Sequence, residues 1–347
     1  MIEATNKTRL GAIGGRRPAR VVQLDPAPHR LRRFRSHALH QGVRIWRNAN
    51  ACGDLWIELL NSYGFDPCAA LSFTVMQDFE GDQFTIFKFP HVDLDNLYGL
   101  QVQELAIYDS LEDRLSGQTQ RDNTVIMEVD GFYLPDMKGT SYRSDHVKTT
   151  IGIDYINTRT RQLGYFHNAG YFFLYGKDYD GVLHRLPEFY KQSNLLLPYV
   201  EFSKRIRPAL EGTALAEASA DLLIVHLARR PASNPIDRWR SAFPGHMDTI
   251  LERGNPYLQL YAFNLIQQLG ANFQYLAKYL DWMRAQGFDI PTAISAAAQK
   301  IASEAMMMKF RVARANLDKR TDLCDDCFDV LAASYDQTIG SLDALIG

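Results

Sequence analysis

Residues 52–64 read CGDLWIELLNSYG, and the spacing of their apolar side chains decides how the rest of the chain is parsed. Leu55, Trp56, Leu59 and Leu60 recur at helical intervals, and Gly64 supplies a left-handed stop. A helix is therefore predicted over 54–63, with Cys52 at or just before its start. The first amides of a helix lack carbonyl partners and carry the positive end of the peptide dipoles, so a thiol placed there is favoured in its nucleophilic, charged form.

Downstream, the stretches 71–76 and 84–89 read as strands of a hairpin joined by the acidic turn Asp78-Phe79-Glu80-Gly81-Asp82. Residues 93–98 and 101–115 are helical candidates, and 125–129 reads as a short buried strand. From 146 to 155 the residues alternate, with His146, Lys148, Thr150, Gly152 and Asp154 on one face and Val147, Thr149, Ile151, Ile153 and Tyr155 on the other. A turn at 157–161 returns the chain into a partner strand at 163–167, and 171–175 adds another. Beyond about residue 187 period-two alternation gives way to helical spacing, with long stretches at 215–228, 257–285, 291–316 and 323–345. The expected class is α+β, an antiparallel sheet domain followed by an all-α region. Three segments result: a basic, proline-containing arm over 1–41, an α+β domain over 42–190 and a helical region over 191–347. Clustered arginines, among them Arg16, Arg17, Arg32 and Arg33, suit the arm to an acidic partner.

The totals narrow the classes. With 347 residues, 46% hydrophobic and 22% charged, the chain can bury a core, and its net charge of -2 gives no global field for nucleic acid or anionic lipid. No apolar run is long enough to span a bilayer, so neither nucleic acid nor membrane is an expected partner. Four cysteines in so long a chain do not make a disulfide framework, and a cytoplasmic location with free thiols is expected. Cys324 and Cys327 have metal-ligand spacing, yet a lone pair cannot complete a tetrahedral zinc site, so no metal is expected. Gly11-Ala12-Ile13-Gly14-Gly15 follows no strand and fails as a phosphate loop.

What remains is a thiol, a histidine and an amide in order along the chain. Cys52 is the candidate nucleophile and His146 the general base that takes its proton. The orienting group comes from the return strand, where His167 and Asn168 stand; Asn168 is favoured, with Asp154, Asp130 and Asp145 as alternatives. The first-turn amides, helped by the side chain of Asn48 or Asn50, would form the oxyanion hole.

The stretches 54–60 (DLWIELL), 78–83 (DFEGDQ), 146–150 (HVKTT) and 164–170 (GYFHNAG) resemble those of an uncharacterised bacterial family. By motif order the chain more distantly resembles the N-terminal domain of butirosin biosynthesis protein H, a papain-like acyltransferase that moves an acyl group from a carrier-protein thioester to an amine. The resemblance implies a papain-like domain over 42–190 with Cys52 as nucleophile, His146 as base and His167 or Asn168 as third member. Glu80, Asp82 and Lys148 belong to the shared pattern without an assigned role. Relatives are often encoded near amino acid:carrier-protein ligases, which implies an aminoacyl donor. The expected function is acyl or aminoacyl transfer from the phosphopantetheine arm of a carrier protein to an amine or hydroxyl of a small-molecule or protein acceptor, with no bound cofactor. The rivals are a cysteine hydrolase (peptidase, amidase or thioesterase) on the same scaffold and a non-catalytic binding or scaffold protein.

Overall fold

The computed structural model of the protein describes residues 34–41, 44–48, 50–190 and 197–346, so residues 1–33 of the basic arm lie outside the described residues. Helix α1 (Ala51–Ser62) begins where Asn50, as N-cap, accepts a hydrogen bond from the Gly53 amide at 3.0 Å. It ends on Gly64, which adopts φ +78° while the Phe65 amide reaches back to the Leu60 carbonyl. Residues 53–60 are buried on every side, including Asp54 and Glu58. Two carboxylates inside a protein need partners, and residues just before the helix supply them. The His40 imidazole bridges both, with Nδ1 on Glu58 and Nε2 on Asp54 at 3.0 Å. Arg44 and the Tyr275 hydroxyl also donate to Asp54, and the His37 amide donates to Glu58. Residues 34–41, read as part of the arm, are thus tied to the core.

The chain continues through α2 (His91–Tyr98), β1 (Leu100–Glu104), α3 (Leu111–Thr119), β2 (Thr124–Asp130), β3 (Lys148–Asn157), β4 (Gln162–His167), β5 (Gly170–Tyr175), α4 (Gly176–Val182), the short α5 (Pro187–Tyr190) and β6 (Val200–Arg205). The strands form one antiparallel sheet in the order β1-β6-β2-β3-β4-β5. Pairing of Ile126 with both Gly152 and Glu201, and of Gly152 with Phe166, sets these four residues on one face. The opposite face buries Val125, Met127, Ile151, Ile153 and Tyr165 against Leu111 and Leu115 of α3 and Tyr179 and Val182 of α4. Helix α1 lies on the first face. A Cβ on Gly152 would stand 2.5 Å from Leu55, so the missing side chain permits that close approach.

The remainder is helical: α6 (Gly212–Leu227), α7 (Pro235–Arg253), α8 (Asn255–Tyr261), a π-helical turn (Ala262–Ile266), α9 (Gln267–Ala285), α10 (Thr292–Asp318) and α11 (Asp325–Ile346). Trp46 pins this part to the segment before α1: it packs on Gly270 and its indole donates to the Ala302 carbonyl at 3.0 Å.

The α+β class holds, but several expected elements change. Residues Ser72–Met76 form a 3₁₀ helix in which Ser72 to Val75 are all buried, a run of burial that a central strand would share. Phe84 pairs with Phe79 through a single bridge, and the acidic turn between them survives. Residues 101–115 divide into β1 and α3, since Gly99 at φ +64° closes α2 and Leu100 enters the sheet. Strand β6 lies within the stretch read as helical, and β3 starts at Lys148, leaving His146 outside it.

Burial alone would lower the pKa of His40, but its hydrogen bonds to Asp54 and Glu58 outweigh that and raise it above 6.5. Its stabilising contribution is therefore complete below about pH 6.5 and is lost as pH rises through the folded value. Substitution His40→Ala removes the partner shared by two buried carboxylates and should cost about 3–5 kcal/mol at pH 5.5 in urea denaturation, with the deficit shrinking at alkaline pH. Equal stability of the two proteins at pH 5.5, or a deficit that grows with pH, contradicts this account.

Candidate functional site

A cavity of about 750 Å³ opens over the sheet face that carries α1. One wall is the first turn of α1, with Asn50, Ala51 and Cys52; another is the loop from Glu80 to Lys88; the floor is Ile126, Glu128, Lys148, Thr150 and Glu201 of β2, β3 and β6. Phe263 and Asn264 of the π-helical turn, with Gln268 of α9, close the remaining side. A π turn holds an extra residue and so re-aims the side chains next to it, and such turns gather at functional sites.

The charges on these walls are mixed. Lys148 of β3 pairs across the sheet with Glu128 of β2 at 3.0 Å. Glu201, only 2% exposed, accepts from the Tyr199 hydroxyl at 2.9 Å. Lys88 stands over the Tyr199 ring, 6.0 Å from its centre. The amides of Ala51 and Cys52 begin α1 and have no intrahelical acceptor, so the cavity offers positive potential at the helix start and at Lys88, and negative potential at Glu201.

Cys52 is on this wall, as its place at the helix start suggests, but its thiol is not activated. Burial pushes its pKa up to about 11; Lys88 draws it down, while Glu201 and Glu128 push it further up. The desolvation of an anionic sulfur is the largest of these effects.

The structure does not bring the other expected partners to the thiol. His146 is exposed, stacked on Phe132 with ring centres 4.7 Å apart, and its Nδ1 meets Asp130 Oδ2 at 2.5 Å. Of the candidate orienters Asp130 is therefore the one that holds the imidazole, and His146 is not among the residues lining the cavity. His167 projects from the opposite face of the sheet, beside Tyr165, where Nδ1 meets Asp136 at 2.5 Å and Nε2 meets the Thr149 hydroxyl at 2.9 Å. The imidazole of this hydroxyl–imidazole–carboxylate series is buried on the sheet face opposite the one that carries α1. Asn168 takes the left-handed position, φ +49°, of the turn joining β4 to β5, and Asp154 accepts from Tyr171 at 2.5 Å. Among the oxyanion candidates, Asn50 has committed its amide to the Phe87 carbonyl and to Gln268, and Asn48 does not line the cavity. Cys324 and Cys327 are buried, and both thiols are pushed up to about 12, burial leading.

Sequence reasoning missed Lys88, Glu128 and Glu201. Glu128 was legible in principle, because an acidic residue interrupting the apolar strand 125–129 marks a position that cannot be plain core. Glu201 had no such signal once its segment was read as helical.

Alkylation of Cys52 by iodoacetamide should be slow at pH 7 and accelerate up to about pH 11. Substitution Lys88→Met should move that rise to still higher pH. A midpoint near neutrality, or a Lys88→Met profile shifted the other way, would sink this electrostatic account.

Two family models match the chain, the DUF1839 N-terminal domain over residues 35–205 and the DUF1839 C-terminal domain over residues 212–344. No curated protein matches it. Together the two matches span most of the sequence, and the chain belongs to the DUF1839 family.

Proposed function

We propose that the protein is an acyltransferase that works in this cavity, with the Cys52 thiol taking an acyl group from a carrier-protein thioester and handing it to an amine or hydroxyl. The observation that carries the reading is position: Cys52 stands on the cavity wall in the first turn of α1, beside amides that can hold a developing oxyanion. The reading keeps the cysteine of the papain-like expectation and drops His146, His167 and Asn168 as its partners.

Attack forms a bond from the Cys52 sulfur to the thioester carbon, and the bond from that carbon to the pantetheine sulfur breaks. The proton that leaves Cys52 ends on the departing pantetheine thiolate, so thiol and thioester are exchanged with charge conserved and little change in free energy. The acceptor then attacks the new thioester, its proton passing to the Cys52 sulfur as that group leaves. With its pKa pushed up to about 11, the thiol is protonated at pH 7. Cationic substrate groups near Glu201 and Glu128 would cancel two of the charges that hold the thiol up, which couples binding to reactivity.

The same raised pKa favours a second reading, a protein that binds a small ligand in the cavity without covalent chemistry. Incubation with acylated carrier protein followed by intact-mass measurement separates the two. Acyl transfer predicts an adduct on the wild type that is absent from Cys52→Ala, and its loss on addition of an amine acceptor. Ligand binding unaccompanied by any adduct on Cys52 selects the second reading.

A further inference from the structure

Resting on the acyl-transfer reading, we propose that Ile86 and Phe263 select the acyl group by its apolar length, so that the group passed to Cys52 carries a hydrocarbon chain of several carbons lodged against them. Ile86 is 66% exposed on the loop from Glu80 to Lys88, and Phe263 is 45% exposed on the π-helical turn. One exposed apolar side chain is ordinary, but these two come from distant parts of the sequence and line a single cavity, and the Tyr199 ring, 41% exposed, lines it with them. Phe84 on the same loop and Ile126 in the floor are buried and extend the apolar lining inward.

The polar groups of the lining are engaged within the protein. Lys148 is paired with Glu128 at 3.0 Å, and Glu201 accepts from the Tyr199 hydroxyl at 2.9 Å with His91 Nε2 3.6 Å away. The Asn50 amide donates to the Phe87 carbonyl and to Gln268, and the Thr149 hydroxyl meets His167 at 2.9 Å. Glu80 and Gln83 of the lining are exposed to solvent. A ligand that competes for such groups exchanges one hydrogen bond for another and gains little. Covering Ile86 and Phe263 breaks no hydrogen bond, so the gain from taking apolar surface out of water is retained. Cys52 is on the wall of the same cavity, and an acyl group held by its sulfur extends into the space that these side chains line.

The test uses the full chain and two probes, the acetyl and hexanoyl thioesters of N-acetylcysteamine. In each case the acyl carbon passes to the Cys52 sulfur and the thiol proton leaves on N-acetylcysteamine. Adduct formation is followed by intact mass, with each rate divided by that of the same probe on free N-acetylcysteine. Wild type should prefer the hexanoyl probe by about tenfold or more, as its four further carbons leave water. The double variant Ile86→Ser with Phe263→Ser should reduce the preference to within about threefold. Leu317→Ser, which removes an exposed apolar side chain of α10 outside the cavity, should retain it. Should the double variant fail to fold by circular dichroism, Ile86→Thr replaces it, with an intermediate preference expected. Equal labelling of the wild type by both probes, a preference that survives in the double variant, or its loss in Leu317→Ser overturns the assignment while leaving acyl transfer standing. If neither probe labels Cys52, calorimetry with hexanamide decides. Binding by wild type that weakens about tenfold in the double variant supports the apolar site though acyl transfer has failed, and equal binding or none by the two proteins overturns both.

Discussion

The placement of α1 depends on two carboxylates that the fold buries and then neutralises. Asp54 and Glu58 sit one turn apart in a helix packed on all sides, and donors meet both there: His40, Arg44 and Tyr275 on Asp54, His40 and the His37 amide on Glu58. Burial would push the Asp54 carboxyl up, yet the His40 bond and the Arg44 charge hold it below the usual value. An apolar helix face slides at low cost, whereas hydrogen-bonded charges have one satisfactory arrangement. The network thus sets where α1 begins, and with it the height of Cys52 above the sheet. It also draws on three separated parts of the chain, so the segment before α1, the helix itself and α9 are positioned together.

From that placement follows the division of labour across the sheet. Alternation along β3 and β4 sends Thr149 and His167 to the face covered by α3 and α4, and sends Lys148, Thr150 and Gly152 to the face covered by α1. The buried imidazole and the thiol therefore belong to different layers, and the imidazole's bonds to Asp136 and Thr149 tie the 131–147 connection to the sheet. On the cavity side, electrostatics restrains the thiol. Burial raises its pKa most, and the charges of Lys88 on one side and of Glu201 and Glu128 on the other adjust it from there.

The sequence made legible those elements whose pattern is local. α1, the β3–β4 hairpin and the long C-terminal helices follow from periodicity, and Gly64 ends α1 as its position suggests. β6 was hidden because it inserts between β1 and β2, and its pairing partners are far away in sequence. The stretch 71–76 misled because consecutive burial is common to central strands and to turns packed under helices. For the site, the helix-start cysteine was readable from its own neighbourhood. A histidine at the head of an alternating stretch was not decisive: Asp130 and the Phe132 ring hold His146 two residues short of the strand, and no local pattern encodes that contact. Glu201 becomes meaningful only once the sheet places it opposite Lys88 and Cys52.

The family matches divide near residues 205 and 212, yet the cavity ignores that division. Its floor and its thiol belong to the N-terminal match, while Phe263, Asn264 and Gln268 come from the C-terminal one. Further bonds stitch the same seam: Asn50 to Gln268 at 3.2 Å, Gln274 to the amides of Ile45 and Trp46, and Asn272 to the Thr74 carbonyl. Gln268 is thus both wall and fastener, and it stands in the first turn of the helix that follows the π turn. A helix without that extra residue would present a different row of side chains to Asn50, and the cap of α1 would lose a partner. The C-terminal helices therefore line the cavity beside Cys52 together with the elements of the N-terminal match.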